Sequence, residues 1–245
     1  YQVASGGKQL STLLIGQPLH PTLLGSSTIL GTTTGGRIYS LAVSNSGPPV
    51  QALLSRPYPQ GFDGPLNVAA SDINGDGYPD TIVAPENSGG PHVLILDGRT
   101  NTIQFQRFVY DPGFGGGARL ASSDMNNDGR NDIITAAGIG GGSHVRIFSG
   151  ADGMSTMLGE YFVFEAFFGG VHVATGDIDR DGSNEVIVTP GAGRVPMVRV
   201  FGLTQEQKVP ELDLSLFGFN ENGINVAVGD IDGDGKAEVV VGAED

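Results

Sequence analysis

The chain contains no cysteine among its 245 residues. That excludes a disulfide framework and every metal or nucleophile chemistry that needs a thiolate. Positive charge is scarce: 13 Lys and Arg stand against 27 Asp and Glu, for a net charge of −14. A nucleic-acid partner, which calls for a basic stripe, is therefore not expected. No apolar run approaches the ~18 residues of a membrane-spanning helix, so membrane insertion is not expected either. No segment keeps a 3.6-residue apolar period over three turns, which predicts almost no helix. The chain begins without methionine or a signal-peptide pattern and reads as a mature product or an excised fragment. Nucleophile-elbow, HExxH and P-loop patterns are missing as well.

What is abundant is glycine, 40 residues, with 14 prolines. Such a composition suits disorder when it has no period, but here it is periodic. Four related segments begin at Ser71 (SDINGDGYPDTIVAP), Ser123 (SDMNNDGRNDIITAA), Gly176 (GDIDRDGSNEVIVTP) and Gly229 (GDIDGDGKAEVVVGA). Their leading aspartates, Asp72, Asp124, Asp177 and Asp230, are 52, 53 and 53 residues apart. A fixed period of this length marks stacked supersecondary units. Within a period the pattern reads as four short strands, A to D, with the acidic segment between A and B. In the third complete copy these are VHVAT (171–175), EVIVTP (185–190), MVRVF (197–201) and LDLSLFGF (212–219). Four antiparallel strands per ~50 residues predict an all-β fold, a β-propeller of four-stranded blades.

Five blades are favoured: a degenerate blade 1 over about 20–60, then about 65–112, 117–166 and 170–219. The last is split between about 223–245 and 1–16. In blade 1, strand A is expected near 22–26 and the acidic loop is missing. YQVASGGKQLSTLLIG, at the N-terminus, reads as strands C and D of the last blade, which would then be closed by strands from both termini. A piece cut from a propeller of six to eight blades is the alternative.

The acidic segments follow D-x-[DN]-x-D-G-x-x-[DE]. Positions 1, 3, 5 and 9 offer side-chain oxygens, position 7 a carbonyl, and the glycine at 6 permits the sharp turn. The first site is Asp72, Asn74, Asp76, Tyr78 (carbonyl) and Asp80; the second is Asp124, Asn126, Asp128, Arg130 (carbonyl) and Asp132. The third is Asp177, Asp179, Asp181, Ser183 (carbonyl) and Glu185; the fourth is Asp230, Asp232, Asp234, Lys236 (carbonyl) and Glu238. Oxygen donors at this density suit Ca2+, about four ions, better than Mg2+, which wants a stricter octahedron. The final carboxylate opens strand B, so this is not the helix-flanked EF-hand loop. The loops hold 14 carboxylates, three in each of the first two and four in each of the last two. Four divalent ions would reduce the net charge from −14 to −6. Metal-free protein is expected to be destabilised by self-repulsion.

These loops, with the Gly/Ala/Pro step after strand B (Ala84-Pro85, Pro190-Gly191-Ala192, Gly242-Ala243), resemble the FG-GAP repeat family. That family includes the propeller of integrin α subunits and bacterial repeats often labelled VCBS. The resemblance implies calcium-stabilised, usually extracellular propellers acting in adhesion, carbohydrate contact or as rigid modules beside enzymes. Its metal positions fall on the residues named above, and blade 1 departs from the pattern, so a fifth site is not expected.

No enzyme is expected. His92 and His144 each lie 20 residues after their leading aspartate, where the next repeat has Met197, so packing explains them better than catalysis. His172 begins a strand A and His20 lies in the degenerate N-terminal region. Phe62, Phe114 and Phe167 recur ten residues before the leading aspartate, and Tyr58 and Tyr110 fourteen before. Packing between blades is their first reading and a sugar-stacking ring the second. The A–B and C–D turns share one rim with the metal loops. A protein or glycan ligand would meet the other rim, around Glu86 to Gly90, Ile139 to Ser143, Arg194 and the loop 111–117. A secreted or cell-surface monomer serving as a binding, adhesion or structural module is the expectation. A lectin-like propeller or the propeller of a polysaccharide-degrading enzyme is the alternative.

Overall fold

A computed structural model describes residues 12–16, 27–33, 35–43, 50–58, 61–204, 211–214, 218, 221–231 and 237–244. The chain divides into two compact units, Tyr1–Ala118 and Arg119–Asp245. Among the described residues there is no helix.

The first unit holds two four-stranded antiparallel sheets. One is β1 (Thr12–Gly16), β2 (Ser27–Thr33), β3 (Arg37–Val43) and β4 (Val50–Ser55). The other is β5 (Leu66–Ser71), β6 (Asp80–Pro85), β7 (His92–Leu96) and β8 (Ile103–Phe108). The second unit holds β9 (Ala118–Ser123), β10 (Asp132–Ala137), β11 (His144–Phe148) and β12 (Met157–Phe162) in one sheet. A second sheet has β13 (Val171–Gly176), β14 (Glu185–Pro190), β15 (Met197–Phe201) and β16 (Leu212–Asp213). The pair β17 (Ile224–Gly229) and β18 (Glu238–Ala243) completes the described strands. Each sheet runs in chain order, the meander of a propeller blade.

Burial within a sheet is graded, and it explains the strand compositions. Every residue of β6, β10 and β14 is buried, so these strands are mostly apolar on both faces, apart from buried threonines and the carboxylate that opens each. β8 and β12 are mostly exposed or half-buried and carry mixed side chains such as IQFQRF and MLGEYF. In the second unit Ile134, Val145, Ile147, Val173, Val186 and Val188 form one core with Phe164 and Phe167. In the first, Ile38, Leu66, Val68, Val83, Leu94 and Leu96 do the same. Buried threonines tie neighbouring sheets: Thr32 Oγ1 donates to Leu66 O (2.8 Å) and Thr189 Oγ1 to Ile224 O (2.6 Å). The pairing of the third and fourth strands slips by one residue in three sheets, at the start of β3 (Ile38/Tyr39) and at the ends of β7 (Ile95/Leu96) and β11 (Ile147/Phe148).

One expectation is corrected. TLLIG, assigned from the sequence to the last blade, is β1 and pairs with β2 from Thr12↔Thr32 to Gly16↔Thr28. It therefore takes the place expected for residues 22–26, which lie outside the described residues, as do residues 1–11. Pairing with the next strand closes a short loop, whereas joining β18 would bring together opposite ends of the chain. Among the described residues β18 pairs only with β17.

Candidate metal centres

The acidic loops connect the first two strands of their sheets: β5 to β6, β9 to β10, β13 to β14 and β17 to β18. The three that are described throughout share one hydrogen-bond pattern, held by backbone N–H groups. The glycine at position 6 donates to the leading aspartate: Gly77 to Asp72 (2.8 Å), Gly129 to Asp124 (2.8 Å) and Gly182 to Asp177 (3.1 Å). These glycines have φ of +85°, +84° and +86°, a left-handed conformation that a side chain resists. The residue at position 5 donates to position 3: Asp76 to Asn74 (2.8 Å), Asp128 to Asn126 (3.0 Å) and Asp181 to Asp179 (3.1 Å). Tyr78, Arg130 and Ser183 then donate to the aspartates two residues earlier, Asp76 (2.9 Å), Asp128 (2.8 Å) and Asp181 (2.8 Å). Each carboxylate is thus turned inward over its own loop, an Asx geometry repeated three times.

The carboxylate at position 9 reaches back to the N–H of position 2 in all four loops. Ile73 donates to Asp80 (3.0 Å), Met125 to Asp132 (3.0 Å), Ile178 to Glu185 (2.8 Å) and Ile231 to Glu238 (2.9 Å). In the first two loops the other oxygen of that carboxylate is also held, by Gly98 N–H on Asp80 (2.9 Å) and Gly150 N–H on Asp132 (3.1 Å). Those glycines open the turn between the third and fourth strands, so the aspartate clamps two loops together. The third repeat differs, with Leu203 at that place and a longer carboxylate at position 9. Glu185 is fully buried, yet its Oε1 has no hydrogen-bond partner. One oxygen from each of Asp177, Asp179 and Glu185 lies within 4.8 Å of the others.

Burial raises the carboxyls of Asp80, Asp132 and Glu185 above the ordinary carboxylate range, against the lowering effect of their N–H donors. At Glu185 the neighbouring Asp179, Asp181 and Asp177 push the same way. A buried orphan carboxylate oxygen facing two more carboxylates fits a hard divalent cation. Among the described residues no three acidic side chains of the first or second loop gather as closely. Their position 3 is asparagine, which brings an oxygen without charge. In the fourth loop Asp232, Asp234 and Lys236 lie outside the described residues. Neighbouring loops of the second unit also touch, because Asn184 Nδ2 donates to Asp124 O (2.8 Å).

The other ends of the sheets carry the remaining candidates. Tyr58, Tyr110 and Phe167 are buried, which favours packing over sugar stacking for these rings; the Tyr58 hydroxyl lies 3.1 Å from Val83 O. His92 and His144 open β7 and β11, and burial lowers both below the ordinary histidine value. Each stacks on an exposed phenylalanine that no sequence pattern singles out. His92 lies 4.5 Å from Phe108 at 16°, and His144 4.3 Å from Phe162 at 20°. These partners face each other across β7/β8 and β11/β12, a register that depends on the slip near the far end of each pair. His172 pairs with Glu244 at 3.0 Å, and His20 lies outside the described residues.

A pattern describing an FG-GAP-like repeat matches residues 72–135 and 124–188, and one for the FG-GAP repeat matches 222–245. The chain belongs to the FG-GAP repeat family. Integrin alpha-PS5 of Drosophila melanogaster is 31% identical over 161 residues, 55% of this chain and 16% of the integrin. Among solved structures, the Bacillus licheniformis rhamnogalacturonan lyase PL11 matches with a TM-score of 0.50 and 15% identity, over 83% of this chain and 47% of the lyase. The exotype rhamnogalacturonan lyase YesX matches with a TM-score of 0.50 and 15% identity, over 84% and 46%. For this FG-GAP chain the lyase likenesses establish fold alone. It spans a sixth of the integrin relative and about half of each lyase.

Proposed function

We propose that the chain is a calcium-stabilised propeller module acting outside the cytoplasm in binding or adhesion, without catalysing a reaction. The observation that carries this reading is the buried, unpartnered Oε1 of Glu185 beside Asp177 and Asp179. In each repeat the ion would be held by the side chains at positions 1, 3, 5 and 9 and the carbonyl at position 7, about four ions in all. Bound Ca2+ supplies positive charge that offsets the crowded carboxylates and stabilises the fold by mass action. Side-chain and carbonyl oxygens on a flexible loop favour Ca2+ over Mg2+. The integrin likeness supports a secreted or cell-surface location and an adhesive role. A monomer meeting a protein or glycan through the rim away from the acidic loops completes the proposal.

The test is thermal unfolding in excess calcium against excess chelator, with bound calcium counted by equilibrium dialysis. The reading expects a higher Tm in calcium and about four ions per chain; equal melting temperatures sink it.

The rhamnogalacturonan lyases among the structural neighbours favour a second reading, the propeller of a polysaccharide-degrading enzyme. Incubation with rhamnogalacturonan would then generate the ultraviolet absorbance of an unsaturated sugar. No absorbance change is expected on the first reading.

A further inference from the structure

The second and third acidic loops are joined to each other. Asn184 stands between Ser183, whose carbonyl holds position 7, and the closing Glu185. Its Nδ2 donates to the carbonyl of Asp124, the leading aspartate of the second loop, at 2.8 Å. In the other direction Asn127 Nδ2 lies 3.5 Å from Ser183 Oγ. Asn127 has a φ of +59°, a left-handed backbone that asparagine tolerates better than most side chains. Two residues ahead of each leading aspartate, Thr175 Oγ1 donates to Ser122 O at 3.4 Å. These contacts span 60, 56 and 53 residues of sequence and line one seam inside the second unit.

The seam is not a general consequence of the repeat. The residue ahead of the closing carboxylate is Pro79 in the first loop and Ala237 in the fourth; only Asn131 and Asn184 bring a side-chain donor there. Ala237 still lies against the preceding loop, since a Cβ on Gly176 would stand 3.5 Å from its own. The juxtaposition recurs at the fourth loop, but alanine has no donor to use it. The second and third loops are also unequal. The third has four carboxylates, and Glu185 Oε1 is buried there without a partner. The second has three, and both oxygens of Asp132 are held by backbone N–H groups.

We propose that Asn184 couples calcium binding at these two loops, so that filling the third raises the affinity of the second. Repulsion among Asp177, Asp179, Asp181 and Glu185 loosens the empty third loop, and a cation held there relieves it. Asn184 lies between two ligand positions, so a closed third loop fixes its amide and, through it, the backbone of Asp124. The second loop then has less freedom left to lose when its own ion binds. Reciprocity requires that an ion in the second loop favour the third by the same factor. Asn184 is thus a positioning residue and a ligand in neither site. The assignment rests on the calcium reading above and concerns how its sites fill.

The test is a calcium titration of the full chain followed by amide NMR. The N–H groups of Gly129 and Gly182, which donate to Asp124 and Asp177, report the second and third loops separately. Asp179→Ala removes an exposed ligand of the third site. It is expected to move the Gly129 midpoint to about three- to tenfold higher calcium, the worth of one or two neutral hydrogen bonds. In an Asn184→Ala background the same substitution is expected to leave that midpoint within about twofold. The dispersion of the amide spectrum in calcium shows that each variant is folded. A Gly129 midpoint unmoved by Asp179→Ala, or moved equally with and without Asn184, would overturn the coupling. The calcium reading would survive either result, because both glycines would still respond to calcium. Glycines that ignore calcium altogether would overturn both.

Discussion

Glu185 accepts the N–H of Ile178 through Oε2 at 2.8 Å and leaves Oε1 buried without a partner. The equivalent aspartates, Asp80 and Asp132, have both oxygens engaged by backbone N–H groups. Among the three loops described throughout, the third is the one whose buried carboxylate lacks a partner, so on the calcium reading it is expected to depend most on an ion. Glu185→Gln removes one of the crowded charges and one strong cation ligand. In chelator the variant is expected to melt higher than the parent, and in calcium to gain less. The lost increment is about 2–3 kcal/mol at a calcium level near a hundred times the dissociation constant. Paired melts in chelator and calcium check it, and an unchanged calcium increment would count against a cation at Glu185.

Acidity should act in opposite directions on the two forms. In the metal-free fold Asp80, Asp132 and Glu185 have carboxyls raised above their unfolded values, chiefly by burial. A raised carboxyl binds its proton more readily in the folded chain, so stability rises as pH falls through that raised value. In chelator, Tm is expected to climb as pH drops from 7 toward the ordinary carboxylate range near 4. Below that range Asp97, Asp152 and Glu244, lowered by hydrogen bonds, reverse the trend as they take up protons. In calcium, protons compete for the same oxygens and the calcium increment shrinks with acid. A pH series of melts in both conditions separates the two.

Gly129 and Gly98 are expected to fail for different reasons. A Cβ on Gly129 meets nothing within 4 Å, so Gly129→Ala costs only the left-handed backbone, about 1–2 kcal/mol, and Gly129→Asn less. On Gly98 a Cβ would stand 2.2 Å from Pro79 O, so alanine there must separate the turn from the loop and loosen the Asp80 clamp. Denaturant unfolding should rank Gly98→Ala as the more damaging.

Thr189→Val keeps the shape of a buried side chain and deletes its hydroxyl. The carbonyl of Ile224, which accepts from Thr189 at 2.6 Å, is left unpaired. A loss of about 1–3 kcal/mol is expected, readable by denaturant unfolding. Thr32→Val should cost a similar amount in the first unit, through Leu66 O.

Much of this protein is legible in its sequence. The 52- and 53-residue spacing of Asp72, Asp124, Asp177 and Asp230 marks the repeat, and the first three strands of the third copy fall where the alternation places them. The inward turn of each loop is legible too. It depends on one glycine and on bonds spanning two to seven residues, and local chemistry decides geometry at that range.

Other features need the tertiary structure, because partners far apart in sequence leave no local mark. Thr12–Gly16 has the composition of many strands, and only pairing assigns it to β2. Gly98 reaches Asp80 across 18 residues, and Asn184 reaches Asp124 across 60. Phe162 meets His144 only through a strand register that slips near its far end. The sequence by itself determined the repeat and the acidic loop. Packing decided which carboxylate oxygen was left without a partner, since that depends on what neighbouring segments bring within reach.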